Sequence, residues 1–248
     1  FLSEIIGAQP VKGRHINMES LYEYGSRRGF WRIHKLFQEK KIPITIFGVG
    51  MALEKNLEIC QAIKESDYEV ASHGWRWIDY QKVSRSTEKK HMQLAIKSIE
   101  KIFGKRPLGW YTGRCSPNTR DLVMEEGGFL YDSDSYSDDL PYWEVRGKKK
   151  QLIIPYTLDN NDMRFATNQG FNSGEQFYTY LKDSFDALYN EDNPPKMMSV
   201  GLHCRIIGRP GRIQSLKKFL DYVLKHKDVW ICKRIDIAKH WIKNYSIK

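Results

Sequence analysis

The feature that most constrains the fold of this chain is an alternation that persists across its 248 residues. Short apolar, β-branched runs at 44–49, 68–72, 108–111, 129–132, 152–156, 197–202 and 229–232 read as strands. Between them, apolar residues recur at helical spacing over 26–41, 52–64, 87–103, 117–126, 174–189, 213–226 and 236–245. Residues 1–24 read as irregular. Pro43 stops the first helix, Gly104 and Pro107 the long one at 87–103, and Gly127-Gly128 the one before the fourth strand. Strand–helix alternation of this kind implies parallel strands joined by crossover helices in an α/β domain. No linker, low-complexity tract or short repeat interrupts it, so a single domain spanning 1–248 is expected.

Seven strands suit either a barrel or an open doubly wound sheet. Neither glycine fingerprint of a nucleotide-binding fold follows a strand, which weighs against the open sheet. In a barrel, the active site lies on loops after the strands. Here the polar and aromatic clusters do follow strands: His73 after the second, Tyr111-Thr112-Gly113-Arg114 after the third and 132–143 after the fourth. Asp159 to Arg164 follow the fifth, and His203-Cys204-Arg205 follow the sixth.

Five of the seven histidines lie in helices or in the irregular start. His73 and His203 each end an apolar strand run, where an imidazole can take a proton from water and return it to a leaving nitrogen. Arg114, Arg205, Arg209 and Arg212 can stabilise an oxyanion or clamp a planar polar group; Arg209 and Arg212 read equally as a turn clamp in GRPGR. Asp134, Asp138, Asp139, Asp159 and Asp162 can orient a histidine, bind substrate donors or simply cap loops. Trp75, Trp77, Tyr80, Trp110 and Trp143 are candidate walls of a small flat pocket. A metal ligand one helical turn beyond His73 would stand at 77, which is Trp, so no metal site is assigned.

Charge enters because the formal net charge is +10. A basic balance invites a nucleic-acid reading, but the lysines are scattered along solvated helix faces, and no nucleic-acid partner is expected. No apolar run reaches the roughly 18 residues a membrane span requires, and no membrane partner is expected. Cys60, Cys115, Cys204 and Cys232 show no zinc spacing and, without an export signal, read as free thiols in a cytoplasmic protein.

Several runs resemble the polysaccharide deacetylase superfamily: His73-Gly74 with Arg76-Trp77, the stretch from Gly109 to Asp134, DDLPYW at 138–143, 154–165, and GLHCRIIGRPGR at 201–212. Within it they are most similar to a metal-independent allantoinase branch of bacterial purine and urate degradation. The resemblance covers essentially the whole chain and implies a distorted (β/α) barrel of about seven parallel strands. In the superfamily's sugar deacetylases an early Asp and His-x-x-x-His hold a metal. His73 matches the first histidine and Trp77 replaces the second, as in the allantoinase branch. FLSEIIG at 1–7 corresponds to a position some tens of residues into the family pattern. The chain is therefore expected to be N-terminally truncated, without the first strand and its carboxylate.

The function this implies is hydrolysis of a cyclic amide, opening the hydantoin ring of allantoin to allantoate, with allantoin as small-molecule substrate and no cofactor. His203, His73 and Arg114 are the expected catalytic residues. Trp77, Trp110, Tyr111, Asp139, Asp159 and Arg205 are expected to bind substrate, and the relatives imply a homo-oligomer. The alternatives are deacetylation of an N-acetyl sugar polymer in carbohydrate metabolism and a catalytically inactive barrel that acts as a binding protein.

Overall fold

A computed structural model describes residues 12–66, 68–192 and 195–247. The segment FLSEIIG lies outside them. In chain order the helices are α1 (Ile16–Tyr24), α2 (Phe30–Lys40), α3 (Gly50–Glu54), α4 (Leu57–Glu65), α5 (Arg85–Phe103), α6 (Thr119–Glu126), α7 (Gly174–Asn190), α8 (Pro210–Val223) and α9 (Arg234–Asn244). The strands are β1 (Thr45–Gly48), β2 (Glu69–Ser72), β3 (Gly109–Trp110), β4 (Tyr131–Asp132), β5 (Tyr142–Arg146) and β6 (Lys149–Ile153). No helix among the described residues is long and apolar enough to cross a membrane.

The chain groups into two compact units, one from Ile42–Tyr156 with Ile231–Lys248, the other from Phe1–Lys41 with Thr157–Trp230. The first holds a six-stranded sheet in the order β1-β2-β3-β4-β6-β5. All its pairings are parallel except β5 with β6. β3 sends Trp110 into a core of Met92, Leu122, Val123 and Phe129, where α5 and α6 cover one face of the sheet. α5 carries this face at Met92, Ala95 and Ile99, starts on the Ser84 hydroxyl and ends at Gly104 with φ +72°. Burying each large apolar side chain there contributes about 1.5–3 kcal/mol.

The second unit is helical. α2 buries Phe30, Ile33, Leu36 and Phe37, one stripe at helical spacing, and ends at Lys41 in the left-handed region. A five-residue π-helical turn, Gly25–Gly29, joins it to α1. α7 packs along α8, where Phe185 meets Phe219 and Tyr222 edge-on. The ends of two extended segments meet in a single parallel bridge between Asn161 and Gly201.

The expected strands at 197–202 and 229–232 are corrected: the first is reduced to that bridge at Gly201 and the second is irregular. Residues 16–24, read as irregular, form α1. The loop after the fourth strand holds a hairpin, so the sheet has an antiparallel edge rather than parallel strands throughout.

Candidate active-site residues

In the sheet unit, β2 runs into His73, whose N–H donates to the Gly48 carbonyl at 2.9 Å. Gly74 follows with φ +75°, a conformation that turns the chain away from the sheet immediately after the imidazole. The His73 Nδ1 lies 2.7 Å from the Tyr111 carbonyl. A carbonyl only accepts, so Nδ1 carries the proton and Nε2 is the basic nitrogen of the neutral ring.

His73 stacks on Tyr111 with centroids 5.2 Å apart and planes 2° apart. Tyr111 in turn stacks on Tyr156 at 4.9 Å and 3°, and Phe47 tilts against the middle ring at 5.0 Å. Three parallel rings thus come from the ends of β2, β3 and β6. The Arg234 guanidinium braces them, its carbon 5.9 Å from the Phe47 and Tyr156 centroids. Its nitrogens donate to Ser133 Oγ at 3.0 Å and to the Ile154 and Pro155 carbonyls at 2.6 Å each. Burial and the Asp134 and tyrosine neighbours push the Tyr111 phenol well above its ordinary range, so it stays protonated at neutral pH.

Arg114 leaves the same sheet edge with its guanidinium 4.7 Å from the Trp77 ring. Its loop is held by the Asp134 carboxylate, which accepts from Thr112 N at 2.9 Å and from Gly113 N at 2.7 Å. Arg120 ties this loop to the sheet, pairing with buried Asp132 and donating to the Asp134 carbonyl at 2.9 Å.

Burial first, and then the neighbouring Asp134 charge, push the Asp132 carboxyl up to about 7 against the pull of Arg120. In the unfolded chain the group titrates near the ordinary ~3.9. The folded state therefore holds this proton more tightly, and the carboxyl's contribution to stability falls as pH rises from about 4 to about 7. Wild type is expected to lose stability relative to Asp132→Asn across that window. Chemical-denaturation midpoints of both proteins at pH 4.5 and 7.5, values chosen on either side of roughly that interval, check this.

In the helical unit, His203 follows the Gly201 bridge. Its Nδ1 is 2.6 Å from Asp162 Oδ1, and Asp162 is fully buried while the histidine side chain is 25% exposed. Asp162 Oδ2 accepts two further bonds, from His203 N at 2.7 Å and Ile207 N at 3.0 Å. The carboxylate thus fixes the imidazole's tautomer, its orientation and the turn that carries it. It also offers a negative partner to the imidazolium that forms when Nε2 takes a proton, the arrangement a general base requires.

The remaining expected site residues fall in several places. Of these, His73 stacks on Tyr111 and Arg114 lies over Trp77, two pairs on the loops that follow β2 and β3. Trp110 is 2% exposed and packs into the core on the other face of β3. Asp139 is exposed on the loop before β5. Asp159 is exposed and accepts from the Tyr180 hydroxyl at 2.9 Å. Arg205 lies with its guanidinium 4.4 Å from the Tyr22 ring, in a cleft of the helical unit.

Tyr156 is the one of these residues that the sequence does not offer as a candidate, and Asp162 is one of five aspartates it offers as able to orient a histidine. Alternation along Leu152, Ile154 and Tyr156 does place Tyr156 on one face with Ile154. Nothing local singles out Asp162 over Asp159, since the pairing of Asn161 with Gly201 decides it.

A metal of the kind the sugar deacetylases hold does not fit the residues at 73 and 77. His73 keeps Nε2 as a possible ligand, but the second ligand position is an indole under a guanidinium, which offers no lone pair to an ion. Among the described residues, no group of three or more His, Cys, Asp or Glu is placed to hold an ion.

Residues 15–125 match the polysaccharide deacetylase family profile. A Schizosaccharomyces pombe (strain 972 / ATCC 24843) protein assigned to the polysaccharide deacetylases is 43% identical, over 97% of this chain and 80% of its own length. Two solved structures each align with all of this chain at 55% identity and a TM-score of 0.95. One is a Pseudomonas aeruginosa PAO1 protein assigned as a polysaccharide deacetylase, 84% covered; the other is Puue Allantoinase, 83% covered. The α/β fold expected from the sequence, a distorted (β/α) barrel of this type, is the fold of these neighbours.

Proposed function

The chain belongs to the polysaccharide deacetylase family, and from that footing we propose that it is a hydrolase opening the hydantoin ring of allantoin to allantoate, in purine catabolism. The observation that carries this reading is Trp77. Where the sugar deacetylases place the second histidine of their metal pair, this chain has an indole with the Arg114 guanidinium 4.7 Å from its ring. Such a pair suits a planar ureide, which a guanidinium grips by paired hydrogen bonds and an aromatic face covers. The 55% identity to Puue Allantoinase supports the same substrate.

The proton-transfer pair lies within the helical unit. In the helical unit, His203 Nε2 removes a proton from water while Asp162 stabilises the resulting imidazolium. The hydroxide adds to the ring carbonyl, and the tetrahedral intermediate collapses with cleavage of the C–N bond. The same imidazolium returns its proton to the departing nitrogen, leaving a ureido NH2 and a carboxylic acid that loses its proton to solvent. Taken by itself, the sheet unit offers Arg114 and the His73–Tyr111–Tyr156 stack, groups suited to a flat polar ring.

Arg114→Ala is expected to raise KM for allantoin by about 10-fold or more while kcat changes far less, since the contact holds substrate and transition state alike. Steady-state kinetics on allantoin check this split.

A second reading, deacetylation of an N-acetyl sugar polymer, is favoured by the equal identity to the Pseudomonas aeruginosa protein. Product analysis separates the two. Incubation with allantoin and, separately, with acetylated chito-oligosaccharide should release allantoate from the first and no acetate from the second. Acetate without allantoate would replace the proposed reaction with the second reading.

A further inference from the structure

Tyr136 stands on the loop between β4 and β5 and is 49% exposed, yet the chain on both sides of it is tied down. Ser135 Oγ lies 2.9 Å and Ser137 Oγ 3.1 Å from the Tyr142 hydroxyl, and the Ser135 carbonyl accepts from Tyr156 N at 2.8 Å. The Tyr136 ring meets Tyr156 edge-on, with centroids 6.4 Å apart and planes at 86°. We propose that the Tyr136 hydroxyl is the hydrogen-bond donor by which the sheet unit recognises a carbonyl oxygen on a flat ligand at the His73–Tyr111–Tyr156 stack.

The Tyr111 and Tyr136 hydroxyl oxygens are 3.3 Å apart, and of the two hydrogens they carry only one fits between them. Tyr111 is 8% exposed, and among the described residues its hydroxyl has no other hydrogen-bond partner. A buried donor left unused is costly, so Tyr111 gives its hydrogen to the Tyr136 oxygen. The Tyr136 hydrogen is then directed away from Tyr111, toward an acceptor that reaches the exposed end of the pair. A hydroxyl that already accepts a bond donates more strongly, because hydrogen bonds in a chain polarise one another.

Partial burial raises the Tyr136 phenol above its ordinary range, outweighing the Tyr111 bond that lowers it, so the donor keeps its proton at neutral pH. The pair also lies beside the turn that leads to Arg114. A Cβ at Gly113, whose φ is +68°, would stand 3.0 Å from the Tyr111 hydroxyl. The fixed flanks of Tyr136 set its hydroxyl before a ligand arrives, which lowers the ordering cost of binding. This role rests on the reading that a planar ring lies against the stack, and it adds the ligand atom that is recognised.

Isothermal titration calorimetry of the full chain with hydantoin and, separately, dithiohydantoin, in which sulfur replaces both carbonyl oxygens, tests the role, since sulfur is the weaker acceptor. Tyr136→Phe keeps the ring that meets Tyr156 and removes only the hydroxyl, and its urea midpoint should match that of wild type. The variant should bind hydantoin about 3–10-fold more weakly, the range of one neutral hydrogen bond, and dithiohydantoin within about 2-fold of wild type.

Equal hydantoin affinity in the two proteins overturns the proposal. So does equal weakening of both ligands, which would mark lost packing, and so does binding of neither ligand by wild type. Allantoin turnover, measured alongside, keeps the two readings apart. A protein whose hydantoin affinity depends on Tyr136 but which leaves allantoin intact would sink only the proposed reaction. Turnover of allantoin with hydantoin binding indifferent to Tyr136 would sink only the role of Tyr136.

Discussion

Replacing His203 by Gln is expected to lower kcat on allantoin by about 10²–10⁴-fold, the range general acid–base groups contribute, with a much smaller change in KM. Gln keeps a side chain of similar reach but neither takes nor returns a proton near neutral pH. Asp162→Asn should fall in the same range, because the amide neither stabilises an imidazolium nor enforces the Nδ1–H tautomer that the 2.6 Å contact requires.

The two variants differ in stability. Asp162 also accepts the backbone N–H groups of His203 and Ile207, and Asn offers only one acceptor oxygen to those buried donors. Asp162→Asn is therefore expected to be destabilised by about 1–3 kcal/mol, whereas His203→Gln should melt close to wild type. Urea denaturation alongside the kinetics separates the proton-transfer role from the structural one.

Gly29→Ala is expected to destabilise the chain by about 3 kcal/mol or more, the upper end of overpacking penalties. A Cβ at Gly29 would stand 1.8 Å from the Cys204 carbonyl oxygen and 2.7 Å from its carbon. A Cβ at Gly208 would stand 2.3 Å from the same oxygen and 2.4 Å from Gly29 Cα. Every one of these neighbours is backbone, so no side-chain rotation relieves the clash.

The end of the π-helical turn thus lies directly against the turn between His203 and Gly208, and two glycines permit that approach. Gly211→Ala is the control. Its Cβ would meet nothing within 4 Å, so its stability should stay within about 0.5 kcal/mol of wild type. Urea midpoints for both variants give the comparison.

Much of the sheet unit was legible because its signals are local. The apolar pattern around Phe47, Val70-Ala71, Trp110 and Tyr131 marks four parallel strands, and Gly104 and Gly127, both at positive φ, end helices where expected. α1 was missed because only Met18 is buried along it and Ile16 is 66% exposed, so no apolar stripe marks the helix. The hairpin was missed because its polar strands meet at Gly147-Lys148, a two-residue turn with Gly147 at φ +60°, inside a stretch that reads as an Asp-rich loop.

The runs at 197–202 and 229–232 show the opposite error. β-branched and apolar residues favour extended backbone, but a strand also needs a partner, and composition does not report one. The candidate site divides the same way. His73 and His203 stand out as imidazoles ending apolar runs, and Arg114 as a charge on a loop after a strand. Trp110 was misplaced because the face it takes is set by strand alternation against Tyr111: one must enter the core if the other leaves it. Asp162 is one of five aspartates the sequence offers as able to orient a histidine, and a bridge between residues 40 positions apart is what brings it to His203.

The most direct measurement is kcat/KM for allantoin of chelator-dialysed wild type, with chelator-dialysed His203→Gln beside it. Activity that stays within about 2-fold of the untreated enzyme in wild type and falls by about 10²–10⁴-fold in the variant is the expected result. Activity abolished by the chelator and restored by Zn²⁺, or a His203→Gln variant as active as wild type, would contradict it.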